Sequence, residues 1–363
     1  MNLRPVLGAA IAALSLAACA TPTAVPPVGP GPVTPHRPRP EPPAPRLEPA
    51  PVRPVELSSL QGWAREDHAA AFRAFRETCH VARRRELADA CARAKARGTL
   101  GPSDAKAFFE EVFQAEAVPG DGVLTAYFAP VYAARRKPDA EFSMPVRPKP
   151  ADLVNGQVYA DRTEIEGRPT DEAIAWMRPE ELFFLQIQGS GVLVFEDGRR
   201  MKALYAANNG RPFIGIANPM RDRGLLARDN TSGEAIRAWL AAHRGPEADE
   251  IMRLNPRYAF FRLAPDDGKP PVGAAGVPLP GGRAIAVDPG FNTYGDVFWI
   301  EGEAPLLAGA FPTYRRLVTA LDTGGAIKGR VRADLYLGEG PAAGTEAGRV
   351  RHTLRMYRLV PRS

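Results

Sequence analysis

Two aspartates near the C-terminus are the densest candidate for chemistry in this sequence. Asp322 ends one apolar segment, a glycine-rich turn follows, and Asp334 lies within the next apolar segment. Two carboxylates that a tight turn brings together push their pKa values apart, as acid/base work on a glycosidic oxygen requires. Turn formation is the alternative, because aspartate beside glycine is common where a chain reverses. The residues alone leave both interpretations open.

Other catalytic motifs are missing from the sequence. It contains no HExxH, no paired CxxC, no P-loop and no GxGxxG after a strand, and its histidines are scattered: His36, His68, His80, His243 and His352. Zinc chemistry, nucleotide chemistry and a serine-histidine-carboxylate triad are therefore unsupported. We expect no metal and no cofactor, which leaves carboxylates as the reactive groups.

The charge of the chain says little about its partners. The formal net charge is +6 over 363 residues, and much of the excess is arginine. A mild basic balance is compatible with an anionic polymer, and a solvated helix face explains it equally well. Basic residues do not alternate with aromatic ones as they do in nucleic-acid-binding proteins, so we expect no nucleic-acid partner.

The first nineteen residues have the form of a bacterial lipoprotein signal. Arg4 precedes the uncharged apolar run 6–18, which is too short to span a bilayer as a helix. The run closes on Leu-Ala-Ala-Cys19, a lipobox in which the cysteine is lipidated and becomes the first residue after cleavage. An ordinary cleaved signal is the alternative. Ala20 follows the cysteine, so resemblance to bacterial lipoproteins implies anchoring at the periplasmic face of the outer membrane.

A proline-rich stretch, residues 20–55, follows the signal. Such a segment buries too little apolar surface to fold, and we interpret it as a disordered tether. At roughly 3 Å per residue it reaches about 100 Å from the membrane. About 300 residues remain, which exceeds the usual size of one domain and predicts two.

The body opens with helices and contains one pair of cysteines. Residues 63–97 have helical periodicity, and Ser103 is a plausible N-cap for a further helix. Cys79 and Cys91 lie in the first of these segments. In an oxidising compartment a disulfide between two adjacent helices is expected, with free thiols as the alternative.

After Gly120 the pattern changes to short strands. Val123–Phe128 alternates as a strand does. Two helices are predicted further on, Asp171–Met177 and a segment that starts at a Thr231–Glu234 capping box and runs to His243. From Gly281 onward short strands are punctuated by glycine and proline, at 284–287, 296–300, 315–321, 332–337 and 355–360. This spacing predicts a mainly β chain with a small barrel rather than a parallel sheet.

Several motifs in order resemble one known family. Asp288, Asp322 and Asp334 fall where the three aspartates belong in the domain that closes the membrane-bound lytic murein transglycosylase A family. The family's other signatures match at Leu124–Pro130, Phe183–Gly191, Tyr205–Gly210 and, more weakly, Asn255–Phe261. The resemblance covers roughly residues 120–360. Two departures are Ala126, where the family usually has glycine, and the loop 216–220.

The resemblance implies a fold and its boundaries. The family's fold is a double-psi β-barrel with a second β-rich domain inserted into it and a groove between them. On this chain residues 56–130 would supply the helices and the first barrel strand. Residues 131–255 would form the inserted substrate-binding domain, and residues 256–363 would complete the barrel with the three aspartates.

The resemblance also implies an activity. Family members cleave the β-1,4 bond between N-acetylmuramic acid and N-acetylglucosamine in peptidoglycan without adding water, leaving 1,6-anhydromuramic acid ends. Asp334 matches the catalytic acid/base, Asp322 would hold it and raise its pKa, and Asp288 would be structural. Polar groups and glycines suited to sugar binding are the groove candidates: Thr125, Tyr127, Gln186, Gln188, Ser190, Gly191 and Asn209.

Two other functions stay open at this point. A peptidoglycan glycoside hydrolase on the same barrel would use the same acid and would need a base for water. A non-catalytic wall-binding lipoprotein would keep the groove and could dispense with Asp334. The implied partners are peptidoglycan strands and, through Cys19, outer-membrane lipid; protein partners in cell-wall synthesis stay unidentified.

Overall fold

Helices dominate the beginning of the described chain and strands dominate its end. The structure, a computed structural model, describes residues 53–305 and 313–362. The helices are α1 His68–Thr78, α2 Leu87–Arg97, α3 Pro102–Val112, α4 Arg162–Gly167, α5 Pro179–Gln188, α6 Ala217–Asp222, α7 Gly233–Ala242, α8 Pro246–Arg253 and α9 Gly340–Ala347. Short 3-10 turns lie at Leu57–Ser59, Trp63–Arg65 and Cys79–Val81. No helix in the described ranges is long and apolar enough to cross a membrane.

The strands form one closed sheet and two open ones. They are β1 Phe113–Ala117, β2 Gly122–Ala129, β3 Val131–Ala133, β4 Met144–Val146, β5 Ala175–Met177, β6 Ser190–Val194, β7 Arg200–Asn208, β8 Ala259–Pro265, β9 Ala284–Ala286, β10 Val297–Pro305, β11 Tyr314–Asp322, β12 Arg332–Glu339 and β13 Arg351–Pro361. The largest sheet has the order β1-β13-β10-β11-β9-β12-β2, and β13 also pairs with β2. Six strands thus close into a barrel, with β1 attached outside through β13. The prediction of a mainly β chain with a small barrel is confirmed.

Period-two alternation explains how the barrel is filled. Leu124, Phe298, Val318, Leu335 and Leu354 come from five different barrel strands, and each is nearly inaccessible to solvent. Residues two apart on a strand share a face, so the interior receives apolar side chains while alternate positions turn outward. Two neighbouring pairs are parallel, β12 with β2 and β11 with β9. These parallel pairs lie beside the two C-terminal aspartates.

The N-terminal helices pack on the outside of the barrel through aromatic side chains. Phe72 of α1 meets Phe108 of α3 edge-to-face, with ring centroids 4.9 Å apart. Trp63 contacts Trp299 of β10 at 5.4 Å. Each fully buried aromatic side chain stabilises the fold by roughly 1.5–3 kcal/mol. The helical segment is therefore an integral layer of the barrel.

A disulfide joins two of these helices. Cys79, which directly follows α1, is bonded to Cys91 in α2, and their Cα atoms lie 5.5 Å apart. Both side chains belong to the apolar layer between the helices and the barrel.

A second sheet occupies the chain between β2 and β9. Its order is β3-β6-β7-β8, and helices α5, α7 and α8 contribute to its separate core, which includes Phe183, Leu240 and Ile251. Arg200 of β7 forms an ion pair with Glu339 of β12 at 2.9 Å. The sheet that follows the first barrel strand is thus tied to the barrel by charge as well as by the chain.

Some local predictions were wrong. The segment predicted as a helix at 171–177 instead ends in β5, because buried Ala175 and Met177 alternate with half-buried Trp176 and pair with β4. The N-cap of α7 is Ser232, whose side chain accepts from the Ala235 N–H, so the Thr231 capping box does not form. Helix α3 begins at Pro102, whose fixed φ favours the first helical position. Ser103 therefore lies inside that helix and is not its cap.

The predicted tether and signal lie almost entirely outside the described residues. Cys19 and the proline-rich segment up to residue 52 belong to that part of the chain. The tether was expected to run to residue 55, yet Val55 pairs with Ala115 through hydrogen bonds of 2.8 and 2.9 Å. Residue 55 therefore belongs to the folded part of the described chain and not to the predicted tether.

Candidate active site

Asp334 lies in the middle of β12, between β2 and β9. Its neighbours in the register are Thr125 on β2 and Ala286 on β9. The Thr125 hydroxyl donates a hydrogen bond to Asp334 Oδ1. Arg332 donates in turn to Thr125 Oγ1 at 2.9 Å. Because Arg332 and Asp334 are two residues apart, strand alternation puts both side chains on the same face.

The surroundings of Asp334 favour its protonated form. Burial raises the pKa of Asp334 above its ordinary value, and the negative charge of Asp322 acts in the same direction. The charge of Arg332 and the hydrogen bond from Thr125 oppose that rise without cancelling it. A carboxyl group that keeps its proton to higher pH can act as a general acid.

Asp322 ends β11 and is held separately from Asp334. Tyr127 donates its hydroxyl to Asp322 Oδ2 at 2.7 Å, and the Ala274 N–H donates to Oδ1 at 3.0 Å. Burial raises the pKa of Asp322, and burial beside this carboxylate raises the pKa of Tyr127 well above its usual range. Asp322 was expected to hold Asp334 in place, but Thr125 makes that contact.

The register explains the separation of these two aspartates. Both pair with Ala286, Asp322 from β11 on one side and Asp334 from β12 on the other. Two inter-strand spacings therefore separate their Cα atoms by about 10 Å. At that distance the two carboxyl groups influence each other through charge, and each has its own hydrogen-bond partners.

Asp288 connects two turns. Its Oδ1 accepts from the Gly290 N–H at 3.0 Å, and its Oδ2 accepts from the Gly329 N–H at 2.8 Å. These backbone donors lower the pKa of Asp288, so its carboxylate stays ionised. Since Gly329 lies in the loop between β11 and β12, Asp288 positions the segment that leads from Asp322 to Asp334.

An open cavity of about 220 Å³ lies in front of Asp334. Its walls come from β2, from the end of α5, from residues 255–259 and from the loop 324–327. Among the lining residues in the described ranges, Asp334 is the one carboxylate. Exposed Ile187 and half-buried Phe213 add apolar surface. The cavity can therefore offer a sugar polymer one acid and both polar and apolar walls.

The structure brings four of the predicted groove residues to this cavity: Thr125, Tyr127, Gln186 and Gln188. Both glutamines also make contacts within the protein. Gln186 Oε1 accepts from Arg162 at 2.7 Å, and Gln188 Oε1 accepts from the Phe128 N–H at 3.1 Å. The glutamines thus join α5 to the cavity floor.

The other predicted groove residues lie elsewhere. Asn209 is completely buried, and its side-chain amide donates to the carbonyls of Ala160 and Pro256. Ser190 and Gly191 begin β6 and line a different, smaller cavity. A Cβ at Gly191 would come within 2.7 Å of the Pro130 carbonyl oxygen, so close backbone packing explains this glycine. These three residues do not line the Asp334 cavity.

The sequence analysis missed the three arginines that line the cavity, Arg162, Arg257 and Arg332. Arg332 could have been found, because it precedes Asp334 by two residues in a strand. Arg257 lines the cavity and packs over Gly325, where an added Cβ would lie 3.1 Å from the guanidinium carbon. That contact joins residues far apart in the sequence, and no local pattern announces it.

The described residues offer no cluster for a metal ion. No group of three or more histidine, cysteine, aspartate or glutamate side chains in the described ranges could hold one.

Family models match two consecutive parts of the chain. Residues 123–262 match the MltA specific insert domain, and residues 283–360 match the 3D domain. Proteins named membrane-bound lytic murein transglycosylase A from Vibrio cholerae and Escherichia coli are 33% and 34% identical over 251 and 247 residues. Each alignment spans 66% of this chain and 66% of the relative, so just under two thirds of their length is matched.

Solved structures match over a larger share of their length. A membrane-bound lytic murein transglycosylase from Agrobacterium tumefaciens is 32% identical, with a TM-score of 0.74 over 85% of this chain and 97% of that chain. E. coli MltA with bound chitohexaose is 27% identical, with a TM-score of 0.66 over 88% of this chain and 93% of that one.

Proposed function

Because the chain belongs to the family of membrane-bound lytic murein transglycosylase A, we propose that it cleaves peptidoglycan glycan strands. The bond is the β-1,4 linkage between N-acetylmuramic acid and N-acetylglucosamine. The products end in 1,6-anhydromuramic acid. The groove in front of Asp334 supports this function, and the related E. coli protein has been solved with chitohexaose in complex.

One observation carries the choice of reaction. Asp334 is the one carboxylate among the described residues that line the cavity. Glycoside hydrolases that use water need a second carboxyl group, about 5–5.5 Å away in retaining enzymes and about 6.5–9.5 Å away in inverting ones. Asp322 accepts hydrogen bonds from Tyr127 and Ala274 and does not line the cavity. A reaction in which the substrate supplies its own nucleophile needs one acid/base only.

The proposed reaction has two proton transfers at one carboxyl group. Protonated Asp334 donates its proton to the glycosidic oxygen, and the bond from this oxygen to the muramyl anomeric carbon breaks. The 6-hydroxyl oxygen of the same muramyl residue then bonds to the anomeric carbon, and the Asp334 carboxylate takes the hydroxyl proton. Asp334 is then protonated again, so the enzyme is regenerated, and no water is consumed. The attack is intramolecular, so its effective molarity is high.

The neighbours of Asp334 suit both steps. Burial raises the pKa of Asp334, which favours the protonated acid that the first step needs, and the hydrogen bond from Thr125 stabilises the carboxylate that forms. Arg332 fixes the Thr125 hydroxyl through its own hydrogen bond. In this proposal Tyr127 holds Asp322, the charge of Asp322 raises the pKa of Asp334, and Asp288 holds the loop before β12.

The finer architecture also follows the family. We propose that the closed six-stranded sheet is a double-psi barrel and that the segment with the second sheet is a domain inserted into it. Because β8 pairs with β7 in that sheet, the insertion extends to about residue 265, past the predicted boundary at residue 255. The order of the strands in the barrel, with β2 before the second sheet and β9 to β13 after it, supports the insertion.

We further propose that the protein is attached to the periplasmic face of the outer membrane. The lipobox at Cys19 supports a lipid anchor, and relatives in Vibrio cholerae and E. coli are named membrane-bound.

Product analysis tests the reaction. Purified protein is incubated with sacculi, and the released muropeptides are weighed by mass spectrometry. Lytic cleavage gives anhydro ends, each one water lighter than the reducing-end counterpart. Free reducing ends would identify a hydrolase and overturn the single-carboxylate mechanism.

Paired variants test the site. Asp334→Asn keeps the size of the side chain but cannot donate the proton, so cleavage should fall by roughly 10²–10⁴-fold, the usual contribution of acid/base catalysis. Asp322→Asn keeps one of its two acceptor oxygens and should lose much less. Full activity in Asp334→Asn would refute the assignment, and no activity in the wild type would point to a wall-binding lipoprotein.

A further inference from the structure

A second cavity of about 230 Å³ continues the catalytic groove. It shares Thr125, Ala126 and Gln188 with the cavity in front of Asp334. Beyond these shared residues it is bounded by the start of α7, by the C-terminal half of α9 and by the first residue of β13. A polymer that passes Asp334 therefore has a side chamber beside it.

Two arginines give this side chamber its charge. Arg237 of α7 and Arg351 of β13 both line it. In the described parts of the chain neither forms an ion pair, whereas Glu234, the chamber's carboxylate, lies 3.7 Å from Arg349. Arg237 also lies over the Phe184 ring, 5.7 Å from its centroid. Two cations at one cavity, without carboxylates of their own, are suited to an anionic ligand.

The barrel register places Arg351 beside the catalytic acid. Thr125 on β2 is opposite Asp334 on β12 and opposite Arg351 on β13. Three residues in one row of neighbouring strands share a face, so the Cα atoms of Asp334 and Arg351 lie about 10 Å apart. Burial lowers the pKa of Arg332, and the positive charge of Arg351 acts in the same direction. The positive charge of Arg351 therefore acts on Arg332, which lies two residues before Asp334.

We propose that the side chamber binds a carboxylate carried on the muramyl branch of the substrate, with Arg237 and Arg351 as its cationic contacts. The inference rests on the proposed function. The glycan backbone is uncharged, and its negative charge lies on the lactyl branch or on the peptide attached to that branch. Arginine binds carboxylates through paired, charge-assisted hydrogen bonds. The chamber thus selects branched, anionic glycan over a neutral chitin-type chain.

Binding measurements test the proposal without turnover. Asp334→Asn protein is titrated with chitohexaose, with peptide-free glycan that carries lactyl carboxylates, and with glycan that retains its peptides. We expect either anionic glycan to bind more tightly than chitohexaose. Arg237→Gln and Arg351→Gln should each weaken that binding about tenfold, the equivalent of one charge-assisted hydrogen bond, and leave chitohexaose unchanged. If the peptide-free glycan already binds more tightly than chitohexaose, the lactyl carboxylate is the ligand. If only the glycan that retains its peptides does so, the ligand is a peptide carboxylate.

Arg355→Gln is the matched control. Arg355 lies on the same strand, its side chain is 53% exposed, and it lies 3.7 Å from Glu301 and from Glu303, away from both cavities. The proposal would be overturned if Arg355→Gln weakened the binding of anionic glycan as much as the two side-chamber variants do. It would also be overturned if Arg237→Gln and Arg351→Gln weakened chitohexaose binding as much as they weaken the binding of anionic glycan. Reducing-end products from the wild type would contradict the lytic reaction, and the binding comparison would stand apart from that result.

Discussion

A substitution at Asn209 tests whether this side chain binds the glycan or stabilises the fold. Its side chain donates to the carbonyls of Ala160 and Pro256 at 2.9 and 2.8 Å. It accepts from the N–H groups of Tyr258 at 2.9 Å and Arg211 at 3.4 Å. Asn209 is completely buried, and Asn209→Ala removes these bonds from the Ala160 carbonyl and the Tyr258 N–H, whereas the Pro256 carbonyl still accepts from the Arg162 N–H at 3.2 Å. At about 1–3 kcal/mol for each unsatisfied buried group, the loss of the bonds to Ala160 and Tyr258 lowers the free energy of unfolding by roughly 2–6 kcal/mol.

Thermal unfolding followed by circular dichroism measures this loss. A chain of this size changes its melting temperature by roughly 2–4 °C for each kcal/mol, so a decrease of about 10 °C is expected. Chitohexaose affinity, measured well below the melting temperature, should stay close to that of the wild type. Asn208→Ala is the control, because this neighbouring side chain bonds Tyr205 and the Gly210 N–H near the surface. Its melting temperature should change by much less.

The opposite result would refute the reasoning. If Asn209→Ala melts like the wild type and no longer binds chitohexaose, Asn209 contacts the glycan as its sequence motif suggested. The buried network around it would then contribute little to stability.

Other consequences concern the acid, the disulfide and the anchor. Burial raises the pKa of Asp334, and the cleavage rate should fall as pH rises through that pKa. Thr125→Val removes a hydrogen-bond donor to the carboxylate and should therefore move this limb of the pH–rate profile to higher pH. A limb that stays in place would exclude this role for Thr125. Non-reducing peptide mapping should recover Cys79 linked to Cys91, and reduction should cost about 3 kcal/mol of unfolding free energy for so short a loop; free thiols in the native protein would contradict it. Cys19→Ala should leave the protein unprocessed or release it from the membrane fraction, and a processed variant that stays there would disprove the lipid anchor.

Much of the barrel was predictable because each of its longer strands has a recognisable local sequence pattern. Around Leu124 and Leu335 apolar residues recur at every second position, and glycine or proline marks the ends of the segments. The prediction of a helix at Asp171–Met177 was wrong because the strand there, Ala175–Met177, has only three residues and is too short to show an alternating pattern. Where a segment is long enough to bury a face, its pattern reveals the element.

The groove residues were less predictable because a polar side chain looks the same in a sequence whether it faces a ligand or a backbone. Gln188 and Asn209 both come from motifs that the family shares. The fold puts Gln188 at the cavity and buries Asn209 against Pro256 and Tyr258. The partners that decide between these outcomes lie 47 and 49 residues away in the chain.

The sequence by itself determined the family, the order of the elements and the strand in which Asp334 lies, since these depend on local pattern and ordered motifs. The tertiary structure decided which groups surround that aspartate. Thr125 is its hydrogen-bond partner because β2 and β12, separated by 209 residues at this pair, lie side by side in parallel. The same closure of the barrel places Arg351 opposite Thr125 and brings the Tyr127 hydroxyl within hydrogen-bond distance of Asp322. Pairing between distant strands follows from the packing of the whole barrel, and no single segment of the sequence encodes it.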